Sequence, residues 1–379
     1  MAFAHLHVHT EYSLLDGSNK ITEYVNRIKE LGMTAGAITD HGVMYGVIDF
    51  YRAAKKEGIN PILGCEVYVA PGSRFDREQT KGEDRYYHLV LLAENNQGYS
   101  NLMKIVSKGF VDGYYYRPRV DMEVLEQYHE GIIALSACLA GEVQRYLTRG
   151  MYEEAKETAL KYEKCFGKGN FFLELQDHGI AEQAQVNQQL LRMHQELGIE
   201  LVATNDVHYT YEKDAEAHDV LLCLQTGKKL SDENRMRYEG GQYYVKSEEE
   251  MKELFPYALE AIENTQKIAE RCHVEIEFGV TKLPKFDVPD GYTSWEYLNK
   301  LCYEGLDERY SPERVQELKP RLEYELSVIQ KMGYVDYFLI VWDFIHFARE
   351  NDIMVGPGRG SAAGSLVSYT LGITKLDPI

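Results

Sequence analysis

The chain has 379 residues, too many for one small hydrophobic core, so we expect two or more domains. Its composition, 44% hydrophobic and 27% charged, is typical of soluble globular proteins. No apolar run approaches the length of a membrane span, and no signal or transit peptide precedes the first apolar run. We therefore expect a cytoplasmic protein without a membrane partner.

The net charge is −19, whereas a surface that mainly grips a phosphate backbone should be basic. Two explanations stay open: the carboxylates partly hold cations, or the basic surface lies outside this chain. The last residues, Leu376 to Ile379, contain no terminal cap or tail, and we interpret Ile379 as a cut inside a longer protein. Scattered cysteines favour reduced thiols over a disulfide framework. They are Cys65, Cys138, Cys165, Cys223, Cys272 and Cys302.

The first 208 residues alternate short β-rich runs with amphipathic segments. One such segment carries Ile21, Val25 and Ile28 at helical spacing and can end at Gly32. Repeated strand–helix units predict a parallel sheet or barrel with helices outside, and chemistry at the carboxyl ends of the strands. The runs lie at about 3–9, 34–39, 62–70, 87–93, 131–136, 170–175 and 200–205.

The first run and the turn after it, 4–17, contain three histidines within five residues. Because side chains in a strand alternate between faces, we expect His5, His7 and His9 on one side. Two imidazoles at i and i+2, with Asp16 beyond the strand end, can form a platform for a metal ion. The alternative is a strand whose histidines form hydrogen bonds inside a core.

Most later runs carry, or are followed by, another side chain that can bind a metal. Each alone has a different explanation: His41 could cap a turn, Cys138 could be a buried apolar residue, and Asp206 could cap a helix. Their recurrence at strand after strand favours a metal site at one rim. The segments are Thr39-Asp40-His41-Gly42, Gly64-Cys65-Glu66, His88, Ser136-Ala137-Cys138 and Asn205-Asp206-Val207-His208.

Two further features near the runs have weaker interpretations. The segment Tyr114 to Arg119 combines aromatic rings with cations in a predicted loop. Such a loop can stack the bases of a frayed strand, but packing against the barrel is the favoured interpretation. His178 follows the sixth run and is expected to line the site without being a ligand.

From about 210 to 280 the pattern predicts helices, one of them beginning at a capping box of Ser247 and Glu250. The stretch Phe278 to Tyr292 contains prolines and a glycine and predicts an extended linker. Helices resume after it. Residues Tyr337 to Ala348 are apolar nearly all round, which predicts a buried helix.

A segment rich in glycine and serine, Val355 to Ser365, precedes the apolar run Leu366 to Leu371. Glycines let backbone N–H groups approach an anion, and a helix N-terminus and Arg359 add positive charge. The segment resembles a phosphate cradle without the Walker pattern, and a flexible turn is the alternative. The candidate phosphate contacts are Gly358, Arg359, Gly360, Ser361 and Ser365.

Together, the metal-capable segments resemble a PHP (polymerase and histidinol phosphatase) domain. The glycine segment, behind a helix at Tyr334 to Phe347, resembles the opening of the palm in the bacterial DNA polymerase III alpha subunit family. The resemblance covers essentially the whole chain. It implies an α/β fold: a distorted (β/α)7 barrel over 1–210, a helical extension and linker over 211–280, and a mostly helical start of a palm over 281–379.

The resemblance also implies a cluster of up to three divalent metals. Mixed imidazole, carboxylate and thiolate ligands suit Zn, Mn or Fe better than Mg or Ca. The implied sites are His7, His9, Glu66 and Asp206 for the first, Glu66, His88 and Cys138 for the second, and Asp16, His41 and His208 for the third.

For the full-length family member, the resemblance implies DNA-templated DNA synthesis in chromosome replication, a nucleotidyl transfer that uses Mg²⁺. The implied partners are primer–template DNA, deoxynucleoside triphosphates, the sliding clamp and other replisome subunits. The palm carboxylates are expected beyond Ile379, so this chain alone is not expected to polymerise. The PHP cluster implies a 3′–5′ exonuclease. Alternatives are a free-standing PHP phosphatase for a small phosphate ester, and a non-catalytic scaffold held together by its metals.

Overall fold

The computed structural model describes residues 3–78, 84–280 and 282–379. The chain divides into two compact units, Met1–Ile276 and Glu277–Ile379. Among the described residues we find no helix with the length and apolarity that a membrane crossing requires.

The first unit is a curled, mixed β-sheet surrounded by helices. Its strands are β1 (Ala35–Ile38), β2 (Asn60–Val69), β3 (Tyr87–Ala93), β4 (Tyr114–Tyr115), β5 (Arg117–Val120), β6 (Ile132–Leu135), β7 (Phe171–Leu175) and β8 (Leu201–Ala203). Its helices are α1 (Ile21–Glu30), α2 (Val47–Glu57), α3 (Asn96–Val111), α4 (Met122–Tyr128), α5 (Glu142–Thr148), α6 (Tyr152–Phe166), α7 (Ala181–Leu197), α8 (Ala215–Thr226), α9 (Glu248–Leu254) and α10 (Leu259–Arg271).

The strands follow the order β4-β5-β2-β3-β6-β7-β8, and β1 pairs with the first half of β2. The α/β barrel class predicted from the sequence is confirmed, but β3 departs from the parallel arrangement that repeated strand–helix units predict. β3 runs antiparallel to both β2 and β6. A parallel pair needs a long crossover, usually a helix, and the described residues between β2 and β3 contain none.

The N-terminal segment closes the curl of the sheet without being a regular strand. The backbone N–H of Thr39 donates to the carbonyl of Val8, and the N–H of His9 donates to the carbonyl of Val207 at 2.7 Å. The chain bends at His7, which breaks the alternation of faces that the sequence predicts. His5 therefore does not share a face with His7 and His9, and the prediction that the three histidines lie on one side is wrong.

Alternate residues of the strands divide the core into two layers. On β3, Leu89 and Leu91 belong to the larger cluster beneath the helices, whereas Val90 and Leu92 belong to a smaller cluster inside the curl. Ile268 on α10 also joins this inner cluster. Apolar side chains thus fill part of the interior, and the inward-facing polar residues of the strands lie beyond them.

The second unit is helical and has its own core. Its helices are α11 (Ser294–Arg309), α12 (Pro312–Lys331), α13 (Val335–Glu350) and α14 (Leu366–Thr370). Thr293 and Glu296 form a capping box at the start of α11. A Cβ atom on Gly305 of α11 would lie 1.9 Å from the carbonyl oxygen of Thr370, so only glycine permits this close approach to α14.

The prediction of a buried helix at Tyr337 to Ala348 is wrong. Phe344 and Phe347 of α13 are 65% and 60% exposed, and Leu339 is the member of this helix that reaches the core. A helix that is apolar on every side is fully buried only if other parts of the protein pack against all of its sides, and within this unit they do not. Within this unit, α11 is the helix that packs most extensively against α13.

Candidate metal centre

The structure brings the nine side chains predicted as ligands into one cluster at a rim of the barrel. Glu66 on β2 and His88 on β3 lie on the same strand faces as the inner-core residues Ile62 and Val90. The other seven come from the N-terminal segment or from segments that follow strands: His7, His9, Asp16, His41, Cys138, Asp206 and His208.

His7, His9 and Asp206 form the first group of donor atoms. The Nε2 atoms of the two imidazoles are 3.1 Å apart, and each lies 3.2 Å from Oδ1 of Asp206. Glu66 completes the group, with Oε1 at 3.2 Å from Nε2 of His7 and Oε2 at 3.7 Å from Nε2 of His9. Two imidazoles and two carboxylates therefore face one another at distances that a shared cation can span.

Glu66 also contacts a second group of donors. Its Oε1 lies 2.9 Å from Nδ1 of His88, and its Oε2 lies 2.5 Å from Nδ1 of His41. The Sγ atom of Cys138 is 3.6 Å from Nδ1 of His88 and 4.0 Å from Oε1 of Glu66. The Glu66 carboxylate is therefore the common member of the cluster.

Asp16, His41 and His208 form the third group. Oδ2 of Asp16 lies 3.1 Å from Nε2 of His41, and Oδ1 lies 3.9 Å from Nε2 of His208. Tyr238, which the sequence analysis did not single out, brings its hydroxyl within 3.2 Å of both Oδ1 of Asp16 and Nε2 of His208. A phenol therefore adds a further polar group beside this part of the cluster.

Several buried donor atoms in the cluster have no hydrogen-bond partner within the described part of the chain. They include Oε2 of Glu66, Oδ1 of Asp206, and both ring nitrogens of His41. Each of these atoms has a ring nitrogen or a carboxylate oxygen within 3.2 Å, but not at an angle that makes a hydrogen bond. Buried polar atoms are normally paired, so these orphaned atoms fit residues arranged around a cation rather than around one another. The cluster can thus hold divalent metal ions.

The charges within the cluster shift the pKa values of its members. Burial alone would raise the pKa of Glu66, but His88 and His41 hold it well below its usual value. Burial and the neighbouring His41 lower the pKa of His9 to about 3, which leaves the imidazole neutral, as a metal ligand must be. Burial also raises the pKa of the Cys138 thiol well above its usual value, so a bound metal would have to displace this proton.

A buried carboxylate behind His7 fixes the orientation of its ring. Nδ1 of His7 lies 2.7 Å from Oε1 of Glu174, which also accepts hydrogen bonds from Gln176 and Thr204. Because Nδ1 donates to the carboxylate, Nε2 is the atom that faces the cluster. A carboxylate in this position is a common partner of a metal-binding histidine. Glu174 was not among the predicted site residues, although a glutamate within the apolar β7 strand is a visible signal.

A second chain of hydrogen bonds orients His9. Nδ1 of His9 lies 3.1 Å from Oγ of Ser13, whose hydroxyl donates to Oδ1 of Asp40 at 2.7 Å. Asp40 also accepts hydrogen bonds from the N–H and the hydroxyl of Thr10. Since the hydroxyl proton of Ser13 goes to Asp40, its oxygen accepts the proton of His9 Nδ1, which again leaves Nε2 for the cluster.

The backbone adopts left-handed conformations, which are rare outside glycine, where two strands lead into the cluster. Ala137, which precedes Cys138, has φ of 64°, and Asp206 has φ of 44°. Such conformations are unfavourable by about 1–3 kcal/mol each, and they gather at functional sites. Both occur where the chain leaves a strand and turns a ligand-type side chain toward the cluster.

The remaining histidines near the barrel have other partners. Nε2 of His5 bonds the carbonyl of Lys246, and the ring of His178 stacks on Tyr243 and bonds the carbonyl of Asn205. His178 therefore lies beside the site without joining the cluster of donor atoms.

The glycine-rich segment forms regular local structure rather than an irregular turn. Residues Gly360–Gly364 form a 3₁₀ turn, and Ser365 caps α14 by accepting a hydrogen bond from the N–H of Ser368. The Ser365 hydroxyl donates to Glu325, which also accepts the N–H of Val367. A carboxylate thus occupies the N-terminus of this helix. Gly358, Arg359 and Ser361 lie on the same loop, where Arg359 and Ser361 are exposed.

The segment Tyr114 to Arg119 forms a small hairpin of β4 and β5 rather than a loop. Arg119 is 3% exposed, and its guanidinium donates to the carbonyls of Arg74 and Asp76, which anchors the hairpin. Tyr114 and Tyr116 remain largely exposed.

Comparisons with known proteins identify both parts of the chain. Residues 5–178 match the PHP domain family, and residues 296–379 match the family described as the bacterial DNA polymerase III alpha NTPase domain. Among solved structures, an amidohydrolase from Chromobacterium violaceum is 15% identical, with a TM-score of 0.38, over 55% of this chain and 88% of its own. A two-domain protein from Bacteroides vulgatus, described as containing a PHP-like metal-dependent phosphoesterase, is 16% identical, with a TM-score of 0.34, over 70% of this chain and 63% of its own. Both likenesses are distant and contribute nothing to the assignment of function.

Curated relatives match the chain along its whole length. The DNA polymerase III subunit alpha of Treponema pallidum is 49% identical, and the match covers 100% of this chain and 32% of the relative. The corresponding subunits of Borreliella burgdorferi and Thermus aquaticus are 49% and 39% identical, again over 100% of this chain and over 33% and 36% of their own. The chain spans about a third of the length of the curated relatives it matches. It carries a PHP domain and belongs to the family of bacterial DNA polymerase III alpha subunits.

Proposed function

We propose that the cluster is a metal centre that binds up to three divalent cations through the nine residues assigned above. The supporting observation is the convergence of these donors around Glu66, with buried donor atoms that lack hydrogen-bond partners among the described residues. The mixture of imidazole, carboxylate and thiol ligands favours Zn, Mn or Fe.

We propose further that this centre hydrolyses phosphodiester bonds at the 3′ ends of DNA, as a 3′–5′ exonuclease. Clustered divalent metals, when bound, lower the pKa of water and stabilise the charge that develops on the oxygens of a phosphodiester in displacement. The protein's own contribution is to hold the ligands in place. Glu174 orients His7, and Ser13 with Asp40 orients His9, so that both Nε2 atoms face the position where a metal would bind.

We propose that the whole subunit to which this chain corresponds carries out DNA-templated DNA synthesis with Mg²⁺ in the cytoplasm. Its partners would be primer–template DNA, deoxynucleoside triphosphates, the sliding clamp and other replisome subunits. The names of the relatives support this proposal. In this assignment, 1–210 is the PHP barrel, 211–280 its helical extension and linker, and 281–379 the start of the palm. The triphosphate would contact Gly358, Arg359, Gly360, Ser361 and Ser365, and the hydroxyl of Ser365 would have to leave Glu325 to do so.

The test of the exonuclease uses the purified chain with Mn²⁺ or Zn²⁺ and a 3′-labelled single strand. We expect release of labelled mononucleotide by the wild type and its loss in His9→Ala. The matched control is His273→Ala, because His273 is exposed and distant from the cluster in sequence. Wild-type cleavage no faster than that of His9→Ala would reject the proposed activity.

The two alternatives predict different results. A phosphatase for a small ester would hydrolyse p-nitrophenyl phosphate and leave the DNA 3′ end intact. A metal-stabilised scaffold would hydrolyse neither substrate, yet chelation would lower its melting temperature. Aromatic rings beside the cluster, among them Tyr45 and Tyr68, favour a nucleotide over a small ester.

A further inference from the structure

A cavity of about 250 Å³ opens beside Asp16 and His41, at the edge of the metal cluster. Its wall is unusually aromatic for a site that would handle only a phosphate group. The rings come from separate segments of the first unit and belong to Tyr12, Tyr45, Tyr68, Phe110, Tyr114 and Tyr116. Arg117 provides a cation in the same wall.

Arg117 lies one ring away from the metal ligands. Its guanidinium carbon is 5.5 Å from the centroid of the Tyr68 ring. Two metal-ligand candidates also lie beside that ring: His88, at 5.3 Å between centroids, and His41, at 6.3 Å. A positive charge therefore faces the cavity at the distance of one aromatic ring from the cluster, where it can meet an anionic group bound beside the metals.

The hairpin of β4 and β5 is built to present these side chains rigidly. The buried guanidinium of Arg119 holds the hairpin in place by donating hydrogen bonds to the carbonyls of Arg74 and Asp76. The turn between the strands has Tyr116 in a left-handed conformation, with φ of 61°, and leaves its ring 60% exposed. Tyr45, which is also 60% exposed, lines the same cavity from the segment after β1.

We propose that this cavity binds the terminal nucleotide of a single strand, with its base against Tyr45 and Tyr116 and its phosphate toward Arg117. The inference rests on the proposed function and adds the surface on which the terminal nucleotide of the substrate binds. Aromatic rings accept any base by stacking, which suits an enzyme that must remove whichever nucleotide is present. The volume matches about one nucleotide, below the usual size range of sites for larger ligands, so the end of the strand must be unpaired to enter.

Binding is measured separately from cleavage. The probe is a fluorescein-labelled oligothymidylate with a phosphorothioate at its last linkage, titrated by anisotropy against the metal-loaded chain. We expect Tyr116→Ala and Tyr45→Ala each to raise Kd about tenfold, in line with the loss of one stacked base. Tyr116→Phe should keep the wild-type Kd, because it retains the ring. Arg117→Gln should raise Kd and lower the salt slope by about one charge.

The matched control is Tyr324→Ala, since Tyr324 is 70% exposed in the second unit and lines no part of the cavity. Circular dichroism of each variant establishes that it is folded. Kd values of folded Tyr45→Ala and Tyr116→Ala within twofold of the wild type would overturn the assignment of the cavity. The same result from Tyr116→Phe as from Tyr116→Ala would overturn the stacking role of that ring.

The outcomes also separate this inference from the proposed hydrolysis. Tight binding that the alanine variants lose, without any cleavage by the wild type, would reject the exonuclease and leave the nucleotide site standing. Cleavage by the wild type, together with unchanged binding and cleavage by the alanine variants, would leave the exonuclease standing and reject the nucleotide site.

Discussion

The buried carboxylate of Glu174 gives the sharpest prediction about the metal centre. Its Oε1 receives the proton of His7 Nδ1, whereas its Oε2 is buried without a hydrogen-bond partner among the described residues. Glu174→Gln keeps an acceptor for His7 and removes the negative charge. The amide oxygen can still accept the hydrogen bonds made to Oε1, but without their charge assistance, so the metal-free protein should fold with a modest loss of stability.

The larger effect of Glu174→Gln should appear in the metal-bound protein. Loss of a carboxylate that supports a ligating histidine typically weakens metal binding 10–100-fold, or about 1.4–2.7 kcal/mol. At a free metal concentration 1,000 times Kd, binding stabilises a folded protein by about 4.1 kcal/mol, and a tenfold weaker Kd reduces this to about 2.7 kcal/mol. The stabilisation by added metal should thus shrink by at least a third.

The assay combines a competition titration against a chromophoric chelator with thermal melts in the presence and absence of metal. Glu233→Gln is the matched control, because Glu233 is exposed. If Glu174→Gln binds metal as tightly as the wild type and gains the same stabilisation, the orienting role of Glu174 is wrong. If instead the metal-free variant unfolds at a much lower temperature, the carboxylate is mainly a structural element of the core.

Three further predictions concern the thiol, a buried histidine and the exposed helix. Cys138→Ser should lower the bound zinc by about one ion per chain in elemental analysis, because an alcohol replaces a thiolate ligand, whereas the buried Cys302→Ser should not. Burial lowers the pKa of His178 to about 4, below its ordinary 6.5, so the unfolded chain binds the proton more readily and stability should fall as the pH decreases from about 6.5 to 4. Denaturant titrations should show His178→Gln losing up to about 3 kcal/mol of that dependence, and an unchanged slope would contradict it. Leu339→Ala should destabilise the second unit by about 2–5 kcal/mol in denaturant titrations, whereas Phe344→Ser, at an exposed site, should change it by less than about 0.5 kcal/mol. Equal effects at the two positions would show that α13 is covered on both sides.

The sequence was sufficient to predict that ligand-type side chains from distant segments meet, because the ends of the strands lie at one rim of a barrel even when strand pairing differs in detail. His41 and Asp206 follow strands, and both lie in the cluster. The direction of β3 could not be predicted, because the residue pattern of a strand does not encode whether it runs parallel or antiparallel to its neighbours. The antiparallel β3 still delivers His88 to the cluster, since His88 lies near the first residue of that strand, beside the end of β2.

Other features depend on local geometry that periodicity does not encode. The bend at His7 moves His5 away from the other two histidines, and nothing in the alternating pattern indicates where a chain will bend. Tyr238 reaches the cluster from a segment without regular spacing, so no pattern marks it. The apolar faces of α13 indicate that it packs against other elements, but the sequence does not show which elements these are.

The metal content of the chain tests the central claim most directly. The protein is purified without added metal, and elemental analysis then counts divalent ions per chain for the wild type, for Glu66→Gln and for the exposed control Glu233→Gln. We predict tightly bound Zn, Mn or Fe in the wild type and in the control, and a large loss of metal in Glu66→Gln. The Glu66 carboxylate lies beside His7, His41 and His88, so its loss should weaken all three groups of ligands. A wild-type chain that carries no metal and takes none up on dialysis against Zn²⁺ or Mn²⁺ would contradict the account.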